Sequence, residues 1–340
     1  MDNKMRNSGS PLIRGQEIAE GRKLISIIMP AMNEEANLPR AYSEVTAVFV
    51  SKLEAYDYEV ILIDNDSRDR TGEVCSEICR KDNRWKYLKF SRNFTSEHSI
   101  AAGLRYASGD AMIILFSDLQ DPPELIPTFI EKWEKGYDVV CGELNSRADG
   151  IWWKSVGARL VYALLNRLSD IRLPQNIADF RLMSRQVVNA INCLDERNRY
   201  FRGLAHWVGF RTCNVPYDRR PRLKGKSATS FFYLIDFAIR ALTNFSIFPL
   251  RVFSAVGLLI LIGTLVYMAV IVSQFLMGGP IPGLTTIYLL LLLILALMSL
   301  GIGTLGEYIG RIYIESKRRP LWIVERTINI SIPDEYRVGK

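Results

Sequence analysis

Charged residues are missing from one long stretch of the sequence. Residues 252–306 contain no Asp, Glu, Lys or Arg, although these types make up 23% of the 340-residue chain. We expect two membrane-spanning helices here, at about Val252–Leu276 and Leu284–Leu305, since each can cross a hydrocarbon core of roughly 30 Å. A buried hairpin of a soluble protein is the alternative, and the length of the two runs argues against it. A transporter is disfavoured too, because the spans lack ionisable residues to line a polar path.

Basic residues flank the uncharged stretch on both sides. Arg251 precedes it, and four basic residues follow it: Arg311, Lys317, Arg318 and Arg319. By the positive-inside rule both flanks are expected in the cytoplasm, with the turn at Met277–Gly283 on the other side. We therefore predict a multi-pass membrane protein with both flanks in the cytoplasm.

Histidine and cysteine are scarce in the chain. It has two histidines and five cysteines, and the cysteines lack the spacing of a metal site. No His- or Cys-based metal centre is therefore expected, and the cysteines are expected to be reduced packing residues. Residues 1–23 are polar and of mixed charge, without the apolar core of a signal peptide, so none is expected.

The net charge of +7 indicates an anionic partner, which could be nucleic acid, a membrane surface or a phosphorylated substrate. Basic residues cluster in Glu196–Leu204 and in the following loop, which contains Arg219, Arg220, Arg222, Lys224 and Lys226. A solvated basic face is the ordinary explanation. Here, however, the apolar and aromatic segment Phe231–Phe248 follows and leads into the first predicted span. Basic residues at that place can attract anionic headgroups or hold a phosphate.

Apolar runs alternate with helical segments in the first half of the chain. Strands are predicted at Leu24–Pro30, Tyr58–Ile63, Tyr87–Phe90, Ala111–Phe116 and Asp138–Cys141, with helices between them. This alternation is typical of an α/β fold with a parallel sheet covered on both faces. A further amphipathic helix is predicted at Ile151–Leu168, and a small hairpin is predicted near the end, from Leu321–Glu325 and Thr327–Ile332.

Two of the predicted strands end in acidic loops. The second precedes Asp64–Asp69, and the fourth precedes Asp118-Leu119-Gln120-Asp121-Pro122-Pro123. Open α/β sheets bind ligands at the carboxyl ends of their strands. Asp118, Gln120 and Asp121 offer oxygen ligands of the kind that Mg²⁺ or Mn²⁺ prefers. A surface turn rich in Asp and Pro is the alternative, and the spacing alone does not decide between them.

Taken in order, the motifs resemble those of a known family. They are Leu24–Pro30 with Asn33-Glu34-Glu35, Asp64–Asp69, Ser91-Arg92-Asn93-Phe94, Asp118–Glu124, Ala178–Leu182, Glu196–Arg199 with Arg202-Gly203-Leu204, and Pro249-Leu250-Arg251. This set, which covers about Leu24 to Glu325, resembles the membrane-anchored polyprenyl-phosphate glycosyltransferases of family 2. That group includes bacterial undecaprenyl-phosphate sugar transferases and is related to dolichol-phosphate mannose synthase.

The resemblance implies a GT-A-like nucleotide-sugar domain with a mostly parallel sheet, followed by two transmembrane helices and a short cytoplasmic tail. The expected boundaries are a polar tail at 1–23, a cytoplasmic glycosyltransferase domain at 24–226, a juxtamembrane amphipathic segment at 227–250, transmembrane helices at 251–306 and a tail at 307–340.

The resemblance also assigns roles by position. Asp118 and Gln120 are matched to the divalent metal, Mg²⁺ or Mn²⁺, and to the donor diphosphate. The nucleotide sugar is matched to Pro30, Glu34, Asp64, Asp66, Asp118 and Gln120. The lipid phosphate is matched to Arg197, Arg199, Arg202 and Lys226. Asp118, Asp179 and Arg202 are the expected catalytic residues, with Asp179 beside the acceptor.

The implied activity is inverting transfer of a sugar from a nucleotide-diphosphate sugar to a polyprenyl phosphate, at the cytoplasmic face of the membrane. The expected partners are these two substrates and the lipid bilayer, without nucleic acid, and the protein is expected to be a homo-oligomer. A processive polysaccharide synthase is the alternative enzyme, but the Gln-x-x-Arg-Trp segment and additional spans of such proteins are missing.

The chain departs from the family pattern at two places. Asp64-Asn65-Asp66-Ser67 stands where the family usually has Asp-Asp-Gly-Ser, and Phe116 stands where an Asp is frequent. The second departure removes one metal ligand unless Asp121 or water replaces it. These departures motivate a third interpretation, a membrane scaffold that keeps the fold without turnover.

Overall fold

The structure is a computed structural model that describes residues 21–145, 176–194, 196, 201–221, parts of 256–277, and 284–331. It divides into two compact units. One comprises 1–151, 173–227 and 320–340, and the other comprises 152–172 and 228–319. The predicted helix at Ile151–Leu168, the juxtamembrane segment 227–250, and Arg197, Arg199 and Lys226 lie outside the described residues.

The first unit contains a mixed sheet with the described strand order β7-β5-β6-β4-β1-β2-β3-β8. Its parallel pairs are β1–β2, β1–β4, β2–β3 and β5–β7, while β3–β8, β4–β6 and β5–β6 are antiparallel. The strands are β1 Lys23–Ala31, β2 Tyr56–Asp64, β3 Trp85–Phe90, β4 Ala111–Ile114, β5 Val139–Leu144, β6 Ile177–Ser184, β7 Thr212–Tyr217 and β8 Val324–Ile328.

Helices cover both faces of the sheet, as the apolar strands predict. They are α1 Leu38–Lys52, α2 Thr71–Lys81, α3 Ser96–Tyr106, α4 Ile126–Glu134, α5 Arg185–Asn192 and α6 Phe201–Trp207, with a 3₁₀ turn at Pro123–Leu125. Helices α1, α2 and α4 share one core with Ile25, Ile27 and Met29, and α3, α5 and α6 share the other with Ile28. Gly103 lets α3 approach β1, because a Cβ there would lie 2.2 Å from a methyl carbon of Ile28.

The strand order reverses between β1 and β4. The chain adds β2 and β3 on one side of β1 and then places β4 on its other side. Pairing between β1 and β4 ends at Ile28 and Ile114. Pro30, two residues further along β1, has no N–H with which to continue a ladder. The carboxyl edge between these two strands is therefore a topological switch point, the place where open α/β sheets bind ligands.

The end of the chain differs from the predicted hairpin. A single strand, β8, pairs antiparallel with β3 at the edge of the sheet. Trp322 is buried and stacks on Phe90 with ring centroids 6.4 Å apart. The amide of Asn329, which has a φ of 60°, then donates to the carbonyls of Cys79 and Trp85. The hairpin prediction was wrong because packing against a distant strand outweighs local pairing.

The second unit contains apolar helices, of which α7 is Val256–Tyr267 and α8 is Leu284–Ser316. Within the described residues one helix, Leu293–Ser316, is long and apolar enough to cross a membrane. Helix α8 starts where the second span was predicted and continues past Leu305. The first predicted span, Val252–Leu276, is only partly described, so the pair of spans stays a prediction.

Candidate active site

The loop after β4 presents Asp118 and Gln120 at the switch point. The Ser117 hydroxyl donates to the carbonyl of Pro30 at 3.0 Å, which ties the loop to β1. Leu119, between the two polar residues, is buried and has a φ of 50°. Asp118 and Gln120 are consequently both partly exposed. The Gln120 N–H donates to Oδ1 of Asp118 at 3.2 Å, which orients that carboxylate.

This pair of residues fits a divalent cation that takes its remaining ligands from elsewhere. No group of three or more His, Cys, Asp or Glu side chains within the described part of the chain could hold a metal ion. One carboxylate and one amide oxygen, completed by substrate phosphate oxygens and water, is a usual environment for Mg²⁺. When bound, such an ion would supply positive charge to stabilise a leaving diphosphate.

Asp121 has a different part in the loop. It is 1% exposed, and its Oδ1 accepts hydrogen bonds from the Tyr217 hydroxyl at 2.5 Å and from Nε of Arg219 at 3.0 Å. Burial and the charge of Asp121 raise the pKa of Tyr217, so its hydroxyl stays a donor. Asp121 therefore joins the loop to the end of β7, and both of its oxygens take part in that connection.

Asp64 is held at the end of β2 by two donors. Its Oδ1 accepts the N–H of Ser67 and its Oδ2 accepts the buried Tyr87 hydroxyl, each at 2.8 Å. Burial, and then the nearby Asp64, raise the pKa of Tyr87, which keeps the phenol protonated. Gly72 leaves room for this contact, since a Cβ there would lie 3.0 Å from the Tyr87 oxygen. Asp64 also lines a cavity of about 440 Å³ with residues of α2, β3 and β8.

Two residues that depart from the family pattern, Asn65 and Asp66, have structural roles in the loop after β2. The Asn65 side chain accepts from the Phe94 N–H at 2.8 Å and donates to Oδ1 of Asn93 at 3.0 Å. A carboxylate could not donate in this way, because it only accepts. Asp66 has a φ of 64°, which lies in the left-handed region that favours Gly and that Asp tolerates.

The loops after β1 and β2 are bonded to each other. The Asn33 N–H donates to the Ser67 hydroxyl at 3.0 Å, and the Glu34 N–H donates to the Thr71 hydroxyl at 2.8 Å. A carboxylate oxygen of Glu34 accepts from the Asn37 side chain at 2.5 Å. These contacts place Glu34 beside the start of α2.

Asp179 lies at the start of β6, which runs antiparallel to β4 and so begins at the same edge of the sheet. Its carboxylate is 3.8 Å from the guanidinium of Arg181, which is fully buried. Arg181 also donates to the carbonyls of Ala178 at 2.9 Å and Phe201 at 3.3 Å. One guanidinium thus links Asp179 with the first residue of α6.

The structure brings most of the predicted site residues to one edge of the sheet. Those at strand ends or in adjoining loops are Pro30, Glu34, Asp64, Asp66, Asp118, Gln120 and Asp179. Arg202 lies in α6, and only its backbone is described. Arg197, Arg199 and Lys226 lie outside the described residues, so their predicted contact with a lipid phosphate is untested.

Several contributing residues escaped sequence reasoning. Tyr87 and Arg181 look like ordinary strand residues, although the spacing of Asp179 and Arg181 indicates one face of a strand. Arg219 and Arg220 were grouped with a basic loop that is either a solvated face or a contact for anionic headgroups or a phosphate. The structure pairs both with acidic side chains of the same domain. Their acidic partners are distant in sequence, so no local pattern reveals the pairing.

Comparison with known proteins identifies the family. Residues 26–191 match the model of the glycosyl transferase family 2. The bactoprenol glucosyl transferase of Shigella phage SfV is 39% identical over 302 residues, which are 88% of this chain and 98% of the relative. The chain belongs to glycosyl transferase family 2. The family resemblance is confirmed, and the protein is a glycosyltransferase with a GT-A-like α/β fold.

Other relatives agree with this membership. The prophage bactoprenol glucosyl transferase homolog of Escherichia coli K12 is 37% identical, covering 89% of this chain and 98% of its own. The solved glucosyl-3-phosphoglycerate synthase of Mycobacterium tuberculosis, in complex with Mn²⁺, UDP-glucose and phosphoglyceric acid, is 18% identical. It has a TM-score of 0.45 and covers 65% of this chain and 78% of that one.

Proposed function

We propose that this glycosyltransferase moves a sugar from a nucleotide-diphosphate sugar to a polyprenyl phosphate, undecaprenyl phosphate being the first acceptor to test. The transfer takes place at the cytoplasmic face of the membrane and inverts the anomeric carbon. The observation that carries this proposal is the convergence of Asp118, Gln120 and Asp64 at the switch point beside β1. The names of the bacteriophage relatives support the acceptor class.

On the donor side, the nucleoside is assigned to Pro30, Glu34, Asp64 and Asp66. Asp64 suits this role because it is an oriented acceptor with lone pairs left for an N–H of a base. Asp118 and Gln120 are assigned to the donor diphosphate together with Mg²⁺ or Mn²⁺. Gln120 keeps the Asp118 carboxylate oriented through its own N–H.

On the acceptor side, a phosphate monoester needs positioning more than deprotonation. It already carries about −1.5 to −2 charge at pH 7. The chain must therefore orient one phosphate oxygen against the anomeric carbon. It must also offset the repulsion between the acceptor phosphate and the donor diphosphate. The lipid phosphate is assigned to Arg197, Arg199, Arg202 and Lys226. Asp179, paired with Arg181, is assigned to orienting these groups.

The membrane arrangement extends the same proposal. Helix α8 supplies one span, and Val252–Leu276 is proposed as the other. Both flanks would then lie in the cytoplasm, since basic residues adjoin them. The homo-oligomer stays a prediction.

The proposal is tested by following a labelled sugar into lipid. Membranes containing the protein are incubated with a panel of labelled nucleotide sugars and short polyprenyl phosphates. We expect label in the organic phase, dependent on Mg²⁺ or Mn²⁺, and absent from membranes without the protein. NMR of the product gives the anomeric configuration. Failure with every sugar, while metal-dependent nucleotide-sugar binding persists, would instead favour the inactive scaffold.

A further inference from the structure

A short segment at the end of β7, Tyr217–Arg220, holds the loop that carries Asp118 and Gln120. The N–H of Arg220 donates to the carbonyl of Gln120 at 2.8 Å. Tyr217 and Arg219 both donate to Asp121, the next residue of the loop. The loop and the segment are therefore joined through the main chain and through side chains at adjacent positions.

The Arg220 guanidinium extends this connection to two further elements. It donates to both carboxylate oxygens of Glu124, at 2.7 Å each, and to Glu44 of α1 at 2.8 Å. Its two terminal nitrogens thus serve different carboxylates, Nη2 that of Glu124 and Nη1 that of Glu44, and hydrogen bonds between charged groups are stronger than neutral ones. The Arg219 side chain is 40% exposed and that of Arg220 is 28% exposed, whereas the Asp121 side chain is 1% exposed. These arginines thus face partly outward. Their contacts with Asp121 and Glu44 are half-buried, whereas the contact with Glu124 is exposed.

The loop has reason to need external support. Asp118 and Gln120 are the two residues assigned to the metal, and in the described part of the chain no group of three or more His, Cys, Asp or Glu side chains could hold one. Leu119 between them has a φ of 50°, a conformation that costs energy for a residue with a side chain. Residues outside the ligand set then determine how well the pair is oriented.

We propose that Arg219 and Arg220 are positioning residues that hold the Asp118–Asp121 loop in its metal-binding conformation. This rests on the proposed function, because it takes Asp118 and Gln120 as the metal ligands. Arg219 and Arg220 also lead, along the chain, into the basic sequence that contains Lys226.

The test measures metal binding directly. Full-length Arg219→Ala, Arg220→Ala and Arg220→Lys proteins in detergent are titrated with Mn²⁺, and free Mn²⁺ is followed by electron paramagnetic resonance. Saturating uridine diphosphate is present, with guanosine diphosphate in parallel. We expect the half-saturating Mn²⁺ concentration to rise about tenfold in the alanine variants and less in Arg220→Lys. Excess Mn²⁺ should restore most of the transfer activity.

Arg211→Ala is the matched control. Arg211 immediately precedes β7, at the end opposite Arg219, and its guanidinium lies over the Tyr137 ring at 4.5 Å. The Arg211→Ala protein should bind Mn²⁺ with the same half-saturating concentration as the wild type. Unfolding temperatures are recorded for all variants. If the alanine variants do not fold, the half-saturating Mn²⁺ concentration of Arg220→Lys decides the test.

The outcomes separate the two proposals. Unchanged Mn²⁺ affinity in folded variants, even with a lower unfolding temperature, would mean a merely structural role and would overturn the inference alone. If the wild type binds no Mn²⁺ with either nucleotide, the proposed metal-dependent function fails together with the inference.

Discussion

Replacing Tyr87 with Phe tests whether Asp64 is held as a fixed acceptor. The buried Tyr87 hydroxyl is 2.8 Å from Oδ2 of Asp64, and the change removes that hydroxyl while keeping the ring in the core. A hydrogen bond to a charged group contributes about 1.5–3 kcal/mol. We expect the free energy of unfolding to fall by about 1.5–3 kcal/mol.

The same change should weaken nucleotide binding. Asp64 would keep the N–H of Ser67 as a donor but lose the contact that fixes its second oxygen. A loss of about 1 kcal/mol in binding corresponds to roughly a fivefold higher dissociation constant. The assay combines unfolding in detergent with calorimetric titration of uridine and guanosine diphosphates.

Tyr58→Phe provides the control for this prediction. Tyr58 is also buried, on β2, but among the described residues its hydroxyl has a single, long contact of 3.4 Å with Thr46. Removing this hydroxyl should lower the free energy of unfolding by less than about 1 kcal/mol and leave nucleotide binding unchanged. Equal effects of the two variants on stability and on nucleotide affinity would refute the reasoning about Asp64.

Three further predictions concern pH, the acceptor and topology. Burial, and then the charge of Arg181, lower the pKa of His206 to about 4. In the unfolded chain the His206 imidazole takes up its proton near pH 6.5, so the free energy of unfolding should fall as the pH drops from about 6.5 towards 4. Thermal unfolding of His206→Leu should show a shallower decline over this pH range. Asp179→Asn should lower the transfer rate with little change in pH dependence above pH 7, and a steep recovery with rising pH would make Asp179 a base. In a variant without native cysteines, Gly279→Cys should react with an impermeant thiol reagent from outside, whereas outside labelling of Ser316→Cys would reverse the proposed orientation.

The centre of the fold is predictable from sequence because its signals are local. β1 and β2 are apolar runs that end in polar loops, and the observed strands include the predicted ranges Leu24–Pro30 and Tyr58–Ile63. Parallel strands bring such loops to one edge. The convergence of Asp64 and Asp118 therefore follows from the order of elements.

Contacts between distant parts of the chain are not predictable in this way. β6 enters the sheet antiparallel between β4 and β5, although no turn signal specifies that pairing. β8 joins β3 across more than two hundred residues, through packing that includes Trp322. The pairing of Asp121 with Arg219 depends on the same kind of long-range placement, so Asp121 resembles a metal ligand until the fold is seen.

The measurement that tests the central claim most directly compares Asp118→Asn with the wild type in the lipid-product assay. Asn keeps the size of the side chain but removes the charge assigned to the metal and the leaving diphosphate. A bound divalent cation stabilises the developing charge of the leaving group by several kcal/mol, and the Asp118 carboxylate is assigned to hold that cation. We predict almost no labelled polyprenyl product from Asp118→Asn at unchanged unfolding temperature, and none from the wild type without divalent ions. Transfer at the wild-type rate by the variant, or by the wild type without divalent ions, would contradict the account.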